Sequence, residues 1–167
     1  MKSRLLSCIL LLLFVCVPIQ SGAAQQDGCP SGEIPLGAPV IKFGLAVSQT
    51  GKYELEGGDL LNGYMLWQEW VNQEHGGINV GGECHRAELV VYDDTSDPVK
   101  AVMLVEQLIS EDGVQFMFGP YSSDLNMVTS EVSERHQIVM IQAGGASNTL
   151  FQRSFRYFLG VMTPATA

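Results

Sequence analysis

Apolar positions along this chain change period several times, and each change marks an element. Val40 to Val47 (VIKFGLAV) is mostly apolar between polar flanks, as a buried parallel strand requires. Ser48 to Gly58 is polar and carries three glycines, which predicts a loop. Leu60, Tyr64, Trp67 and Val71 then recur at spacings of four, three and four, predicting a helix from Asp59 to about His75 with Asp59 as its cap. Gly76-Gly77 ends it, and Gly81-Gly82 turns a short hairpin. Arg86 to Tyr92 is the second long strand. Asp97 and Pro98 open a helix whose Ala101, Val105 and Leu108 share one face, and Gly113 closes it. Val114 to Phe118 predicts another strand, Gly119 to Ser122 a loop, Ser123 to Arg135 a helix and Ile138 to Ile141 a further strand. A glycine-rich loop runs from Ala143 to Asn148. Strand and helix thus alternate throughout. That pattern implies right-handed crossovers and an α/β fold: a doubly wound, Rossmann-like parallel sheet with helices on both faces.

The first residues follow a different rule. Lys2 and Arg4 precede an almost unbroken apolar run, Leu5 to Ile19, and then the small residues Ser21-Gly22-Ala23-Ala24. This is the order of an export signal cut after Ala24, and the run is short for a membrane span. The expected division is therefore a signal peptide at 1–24, a tether at 25–39 and a domain from 40 to 167. Removing Lys2 and Arg4 takes the formal charge from −9 to about −11. Such acidity argues against nucleic acid or an anionic membrane as partner, since both reward clustered Lys and Arg. Cys8 and Cys16 leave with the signal. Cys29 and Cys84 remain in a chain addressed to an oxidising compartment, and are expected to pair.

In open parallel sheets, ligands bind beyond the carboxyl ends of the strands. Three loops there are rich in Gly, Ser or Thr: Ser48 to Gly58, Gly119 to Ser123, and Ala143 to Thr149. Ser123 lies at a helix start, where free N–H groups and the dipole favour an anion. Ser147 comes from the next loop, so the two hydroxyls suggest a seat for a carboxylate. Ser123 could equally serve only as a cap, and Ser147 as a plain loop serine. Catalytic patterns are missing. Gly119-Pro120-Tyr121-Ser122-Ser123 is not a nucleophile elbow, and His75, His85 and His136 have no metal or triad spacing. No phosphate-binding or dinucleotide loop follows the first strand. Asp93 and Asp94 read as loop and cap carboxylates. No enzyme, cofactor or metal is expected.

Four strings in order resemble one family: Trp70-Val71-Asn72-Gln73-Glu74-His75-Gly76-Gly77-Ile78, Tyr92 to Pro98, Gly119 to Ser123, and Gly144-Gly145-Ala146-Ser147-Asn148. They are similar to branched-chain amino-acid-type solute-binding proteins of the periplasmic type I class. The resemblance implies a two-lobed clamp, periplasmic or secreted, that captures an amino acid or a similar small carboxylate or amide. It would hand that solute to an ABC permease and ATPase. It assigns the ligand carboxylate to Ser123 and Ser147, with backbone help near Gly145 and with Tyr121 and Ser122 in the same loop. The loop before Gly57 offers a side chain, here Glu56 with Tyr53 nearby. Ser96 and Ser122 stand where some members carry a bridging cysteine pair. On this reading Gly160 to Ala167 lies near the first crossing between lobes, and the stretch alone should bind solute weakly or not at all. The same fold serves as the ectodomain of receptors, which is the alternative reading.

Overall fold

The computed structural model describes residues 29–165. The export segment, its cleavage site, Cys8 and Cys16 lie outside the described residues. Strand β1 is Val40–Val47, helix α1 Glu54–Gln73, β2 Ile78–Val80, β3 Glu83–Asp93, α2 Pro98–Ser110, β4 Phe116–Phe118, α3 Ser123–His136, β5 Met140–Gln142 and β6 Phe158–Gly160. A 3-10 turn spans Asn148–Phe151. The sheet order is β2-β3-β1-β4-β5-β6, parallel except for the β2–β3 hairpin. Leaving out the hairpin strand, the chain order across the sheet is 2-1-3-4-5. In this doubly wound order the winding reverses beside β1, and a crevice opens between the carboxyl ends of β1 and β4.

β1 explains why the layers close. Its odd positions, Ile41, Phe43, Leu45 and Val47, are buried under α1 with Tyr64, Val71, Ala87 and Phe118. Its even positions include the small Gly44 and Ala46, on the face packed by Val105, Leu108, Val114, Met117, Val132 and Met140. A Cβ on Gly44 would stand 2.7 Å from Met117 Sδ and 3.3 Å from Leu108 Cβ. Small residues on one face therefore let α2 approach closely, while large ones fill the space under α1. Each buried aliphatic or aromatic side chain contributes roughly 1.5–3 kcal/mol. Phe43 is stacked near Phe116 and Phe118 (centroids 5.3 and 5.2 Å apart) and meets Trp67 edge-on at 4.9 Å.

Helix α1 begins at Glu54, five residues before the expected Asp59, and its N-cap is Tyr53. Gly57 and Gly58 suggested a loop, but the glycine at 57 is a packing requirement. A Cβ there would run into the carbonyl of Ser48, so α1 can sit directly over the end of β1 only with glycine at this turn. Asp59 is an exposed residue of the second turn. Asp97 does cap α2, accepting from Val99 N at 2.7 Å and Lys100 N at 3.3 Å. Ala101, Val105 and Leu108 are buried together. β6 was not foreseen, because Phe158-Leu159-Gly160 is too short to show alternation.

Within the span expected as a tether, residues 29–34 bond to the domain. Gly32 N donates to Glu74 O at 2.7 Å, Ile34 N donates to Asn72 O at 2.8 Å, and the Ile34 side chain is buried. Cys29 and Cys84 are joined by a disulfide with a Cα–Cα distance of 5.8 Å across 55 residues of sequence. The segment is short of apolar period because only one side chain, Ile34, needs a socket.

On the α1 face, Leu45, Phe118, Ile141 and Leu159 fall in one row across β1, β4, β5 and β6. α1 covers the first two. Leu159 remains 52% exposed, and a groove of about 480 Å³ runs between α1 and β5, lined by Leu60, Tyr64, Trp67, Phe118, Ile141 and Val161. Replacing Cys29 and Cys84 by serine should lower unfolding stability by roughly 2–4 kcal/mol, since the bridge restricts a long loop in the unfolded chain. Denaturant titration of the oxidised protein and the double variant checks this.

Candidate functional site

The carboxyl ends of the parallel strands form one rim, and hydrogen bonds from side chains hold its loops together. After β1, Gln49 N and Thr50 N donate to Asp93 Oδ1 (2.9 and 3.3 Å), and Thr50 Oγ1 donates to Asp93 Oδ2 at 2.7 Å. Thr95 N completes the set at 2.9 Å. One carboxylate at the end of β3 thus shapes the loop after β1. Its neighbour Asp94 is fully buried and accepts from Ser48 Oγ at 2.6 Å and Ser96 N at 2.7 Å. Asp94 Oδ2 has no partner among the described residues. Ser96 Oγ donates to Thr50 O at 3.0 Å and accepts from Tyr53 N at 2.9 Å. A hydroxyl therefore does by hydrogen bonding what a bridging cysteine would do covalently, but it joins the loop after β1.

The loops after β4 and β5 are joined in the same manner. Ser122 N donates to Gly144 O at 3.0 Å, and Ser147 N donates to Ser123 Oγ at 3.1 Å. Asn126 Nδ2 reaches Pro120 O and Ser122 O at 2.7 and 2.8 Å, which holds the entry to α3. Tyr64 OH donates to Gly119 O at 3.2 Å from below, and its burial pushes the phenol well above the ordinary range. Non-glycine residues adopt positive φ at Thr95 (54°), Ser96 (60°) and Ser122 (76°), all in rim loops. Strain of this kind persists where surrounding bonds over-determine the backbone.

Ser123 and Ser147 stand together at this rim, both half-buried. Ser123 is the first residue of α3, not its cap. That place belongs to Ser122, whose Oγ accepts from Leu125 N at 3.2 Å. Ser147 caps the 3-10 turn and shares a hydroxyl bond with Thr149 at 2.8 Å. Tyr53 and Tyr121 meet edge to face with centroids 5.6 Å apart, bridging the loops after β1 and β4 at the switch point. Glu56 lies exposed in the first turn of α1, no longer in a loop. Gly145 is buried, and its backbone groups bond within the loop. Its N–H donates to Gln142 Oε1 at 2.6 Å and its carbonyl accepts from Gln142 Nε2 at 3.0 Å. Gln142 thus holds the backbone of this loop at Gly145.

Sequence reasoning passed over Gln142, Asn126 and Thr50. Polar residues, whether buried as Gln142 and Asn126 are or exposed as Thr50 is, leave no mark in hydrophobic period. The doublet Asp93-Asp94 at a strand end was the one available signal. Around the rim the exposed charges include Lys52, Glu54, Glu56, Asp97 and Asp124. The hydrogen bond to the Tyr53 phenol, with the Asp124 carboxylate nearby, favours the protonated Lys52 ammonium. Among the described residues no cluster of three or more His, Cys, Asp or Glu could hold a metal, and no helix is long and apolar enough to cross a membrane.

Residues 40–166 match the family described as periplasmic binding protein. The leucine-specific-binding protein of Salmonella typhimurium is 30% identical over 100 residues, covering 54% of this chain and 27% of that protein. The leucine-, isoleucine-, valine-, threonine-, and alanine-binding protein of Pseudomonas aeruginosa is 27% identical over 121 residues, 72% of this chain and 31% of the relative. Among solved structures, the branched-chain amino acid transporter substrate binding protein LivJ of Streptococcus pneumoniae, in complex with isoleucine, superposes with a TM-score of 0.67 at 18% identity. The match covers 75% of this chain and 34% of that one. An ABC transporter solute binding protein of R. palustris in complex with 4-hydroxybenzoate gives 0.61 at 26% identity, over 75% and 32% of the two chains. The chain thus spans about a third of the length of these proteins.

The two adjacent carboxylates titrate in opposite directions. For Asp93, burial alone would raise the pKa, but bonds from Thr50 Oγ1 and the Thr95, Gln49 and Thr50 amides together hold it below the ordinary range. For Asp94, burial dominates and raises it, against the Ser48 and Ser96 bonds. Asp93 therefore contributes stability above its unfolded pKa of about 3.9, lost as pH falls through its lower folded value. Asp94 contributes most below that unfolded value, and its contribution is lost as pH rises through the raised folded one. Denaturant unfolding from about pH 3 to 7 should show the wild-type advantage over Asp93→Asn widening with pH. The same measurement should show the difference between wild type and Asp94→Asn falling with pH.

Proposed function

Since the chain belongs to the periplasmic binding protein family, we propose that its rim holds the carboxylate of a small solute, as part of the solute-binding component of an ABC importer. The observation that supports this best is the meeting of Ser123 and Ser147 at the start of α3. Two half-buried serines from different strand loops meet there, the Ser147 N–H donating to Ser123 Oγ at 3.1 Å, while Ser147 Oγ bonds to Thr149. Early N–H groups of a helix and its positive dipole end favour an anion. Ser122 satisfies the Leu125 N–H, and Ser123 Oγ, while accepting from the Ser147 N–H, keeps its own proton to donate to an oxyanion.

Tyr53 and Tyr121 supply an aromatic wall beside this seat, where the side chain of an amino acid or the ring of a benzoate can pack. Glu56, exposed on the first turn of α1, would supply a carboxylate for an ammonium group, which an amino acid carries and a benzoate lacks. Amino-acid-like solutes are therefore the leading class. The relatives include proteins named for leucine and others solved with isoleucine or 4-hydroxybenzoate, which agrees with a shared carboxylate and a variable remainder. Nothing in this arrangement pairs a nucleophile with a base, so capture without chemical change is the reading it supports. The periplasm, which the family and the N-terminal sequence both suggest, is where such capture would occur.

A clamp closes by bringing two bodies together on the ligand. This stretch corresponds to about a third of each relative, so its own affinity is expected to be weak, and amide chemical shifts at millimolar solute are the suitable readout. Leucine and benzoate should move the Ser123, Asp124 and Ser147 amides, whereas the amine lacking the carboxylate should not. Ser123→Ala and Ser147→Ala should each weaken binding by roughly tenfold or more, as expected for a hydrogen bond to a charged group. Equal shifts with the amine, or no loss in either variant, would remove the carboxylate seat.

A further inference from the structure

β3 is the longest strand, and only part of it has a strand on each side. Arg86 to Asp93 pair with Val40 to Val47 of β1, while on the other side β2 reaches only Glu83 to His85. Arg86 N donates to Pro39 O and Asp94 N to Val47 O, so even positions face β1 and odd positions face outward. From Ala87 onward those outward groups border no strand among the described residues. A long open edge of this kind is a template for pairing with another chain. The opposite edge, β6, is only three residues long.

Two side chains of α1 occupy that edge. Ala87 N donates to Asn72 Oδ1 at 2.9 Å, and Asn72 Nδ2 donates to Ala87 O at 2.8 Å. One amide thus makes both bonds that a residue of a neighbouring strand would make. Leu89 N donates to Gln68 Oε1 at 2.6 Å. The spacing has a geometric cause. Four helical residues advance about 6 Å and two strand residues about 6.7 Å, so positions 68 and 72 of a helix antiparallel to β3 match 89 and 87. Asn72 is itself held, because its carbonyl accepts from Ile34 N at 2.8 Å in the segment stapled by Cys29–Cys84.

We propose that Asn72 and Gln68 act as a surrogate edge strand, continuing β2 along β3 and preventing edge-to-edge pairing with a second copy of the chain. This does not depend on the solute-binding reading. The test is amide hydrogen exchange and sedimentation velocity on the full chain, comparing wild type with Gln68→Leu, Gln68→Glu and Asn72→Leu/Gln68→Leu. In wild type, Ala87 and Leu89 should exchange as slowly as Val90, which faces β1. Gln68→Leu should speed Leu89 about tenfold, and Gln68→Glu, which keeps the acceptor, should leave it protected. The double variant should expose Ala87 as well, leave Val90 unchanged and self-associate with rising concentration. Loop-like exchange of Ala87 and Leu89 in wild type would overturn the proposal. So would a folded double variant that stays monomeric with both amides exposed. Should the double variant not fold, the two Gln68 variants decide: equal Leu89 protection in Gln68→Leu and wild type refutes it.

Discussion

The asymmetry of β1 underlies the rest of the structure. A central parallel strand must be buried on both faces, and here the two faces are served by side chains of different size. Ile41, Phe43, Leu45 and Val47 fill the layer under α1, and Gly44 and Ala46 admit α2 on the other side. Because α1 and α2 lie on opposite faces, the chain winds outward from β1 in both directions. The crevice at its carboxyl end follows from that winding. Position of the site is thus a result of how one strand packs, before any polar residue is considered.

What the rim adds is polar cross-linking. Asp93 shapes the loop after β1 from β3, Ser123 bonds to the loop after β5 from α3, and Gln142 closes that loop upon itself. Loops otherwise lose order easily, since few apolar contacts hold them. Here side-chain acceptors take backbone N–H groups that face no strand, so the loops are ordered without a hydrophobic core of their own. The arrangement suits a surface that must present hydroxyls in fixed directions while staying accessible. The outer edge of β3 uses the same device with Asn72 and Gln68, far from the rim.

Periodicity made much of this legible. β1, the hairpin turn, the cap at Asp97 and the buried triad of α2 could be read because each rests on local chemistry or on a repeated apolar spacing. The start of α1 could not, because Gly57 looks like a loop residue until the Ser48 carbonyl above it is known. The same limit applies to the site. Ser123 and Ser147 were placed from helix-start logic and from resemblance. The bond from the Gly145 N–H to Gln142 exists only in three dimensions and leaves no trace in the sequence. The segment from Cys29 to Pro39 read as loose for want of period, yet one buried isoleucine and one disulfide fix it.

The close seating of α1 on Ser48 limits how this architecture can vary over evolutionary time. Residue 57 has no freedom, since any side chain there would lift the helix from the strand. Of its neighbours, Glu56 is exposed and Tyr53 is half-buried against the Tyr121 ring. Changes in solute preference among chains built this way should accumulate at those flanking positions, while the glycine stays as a fixed pivot around which they diversify.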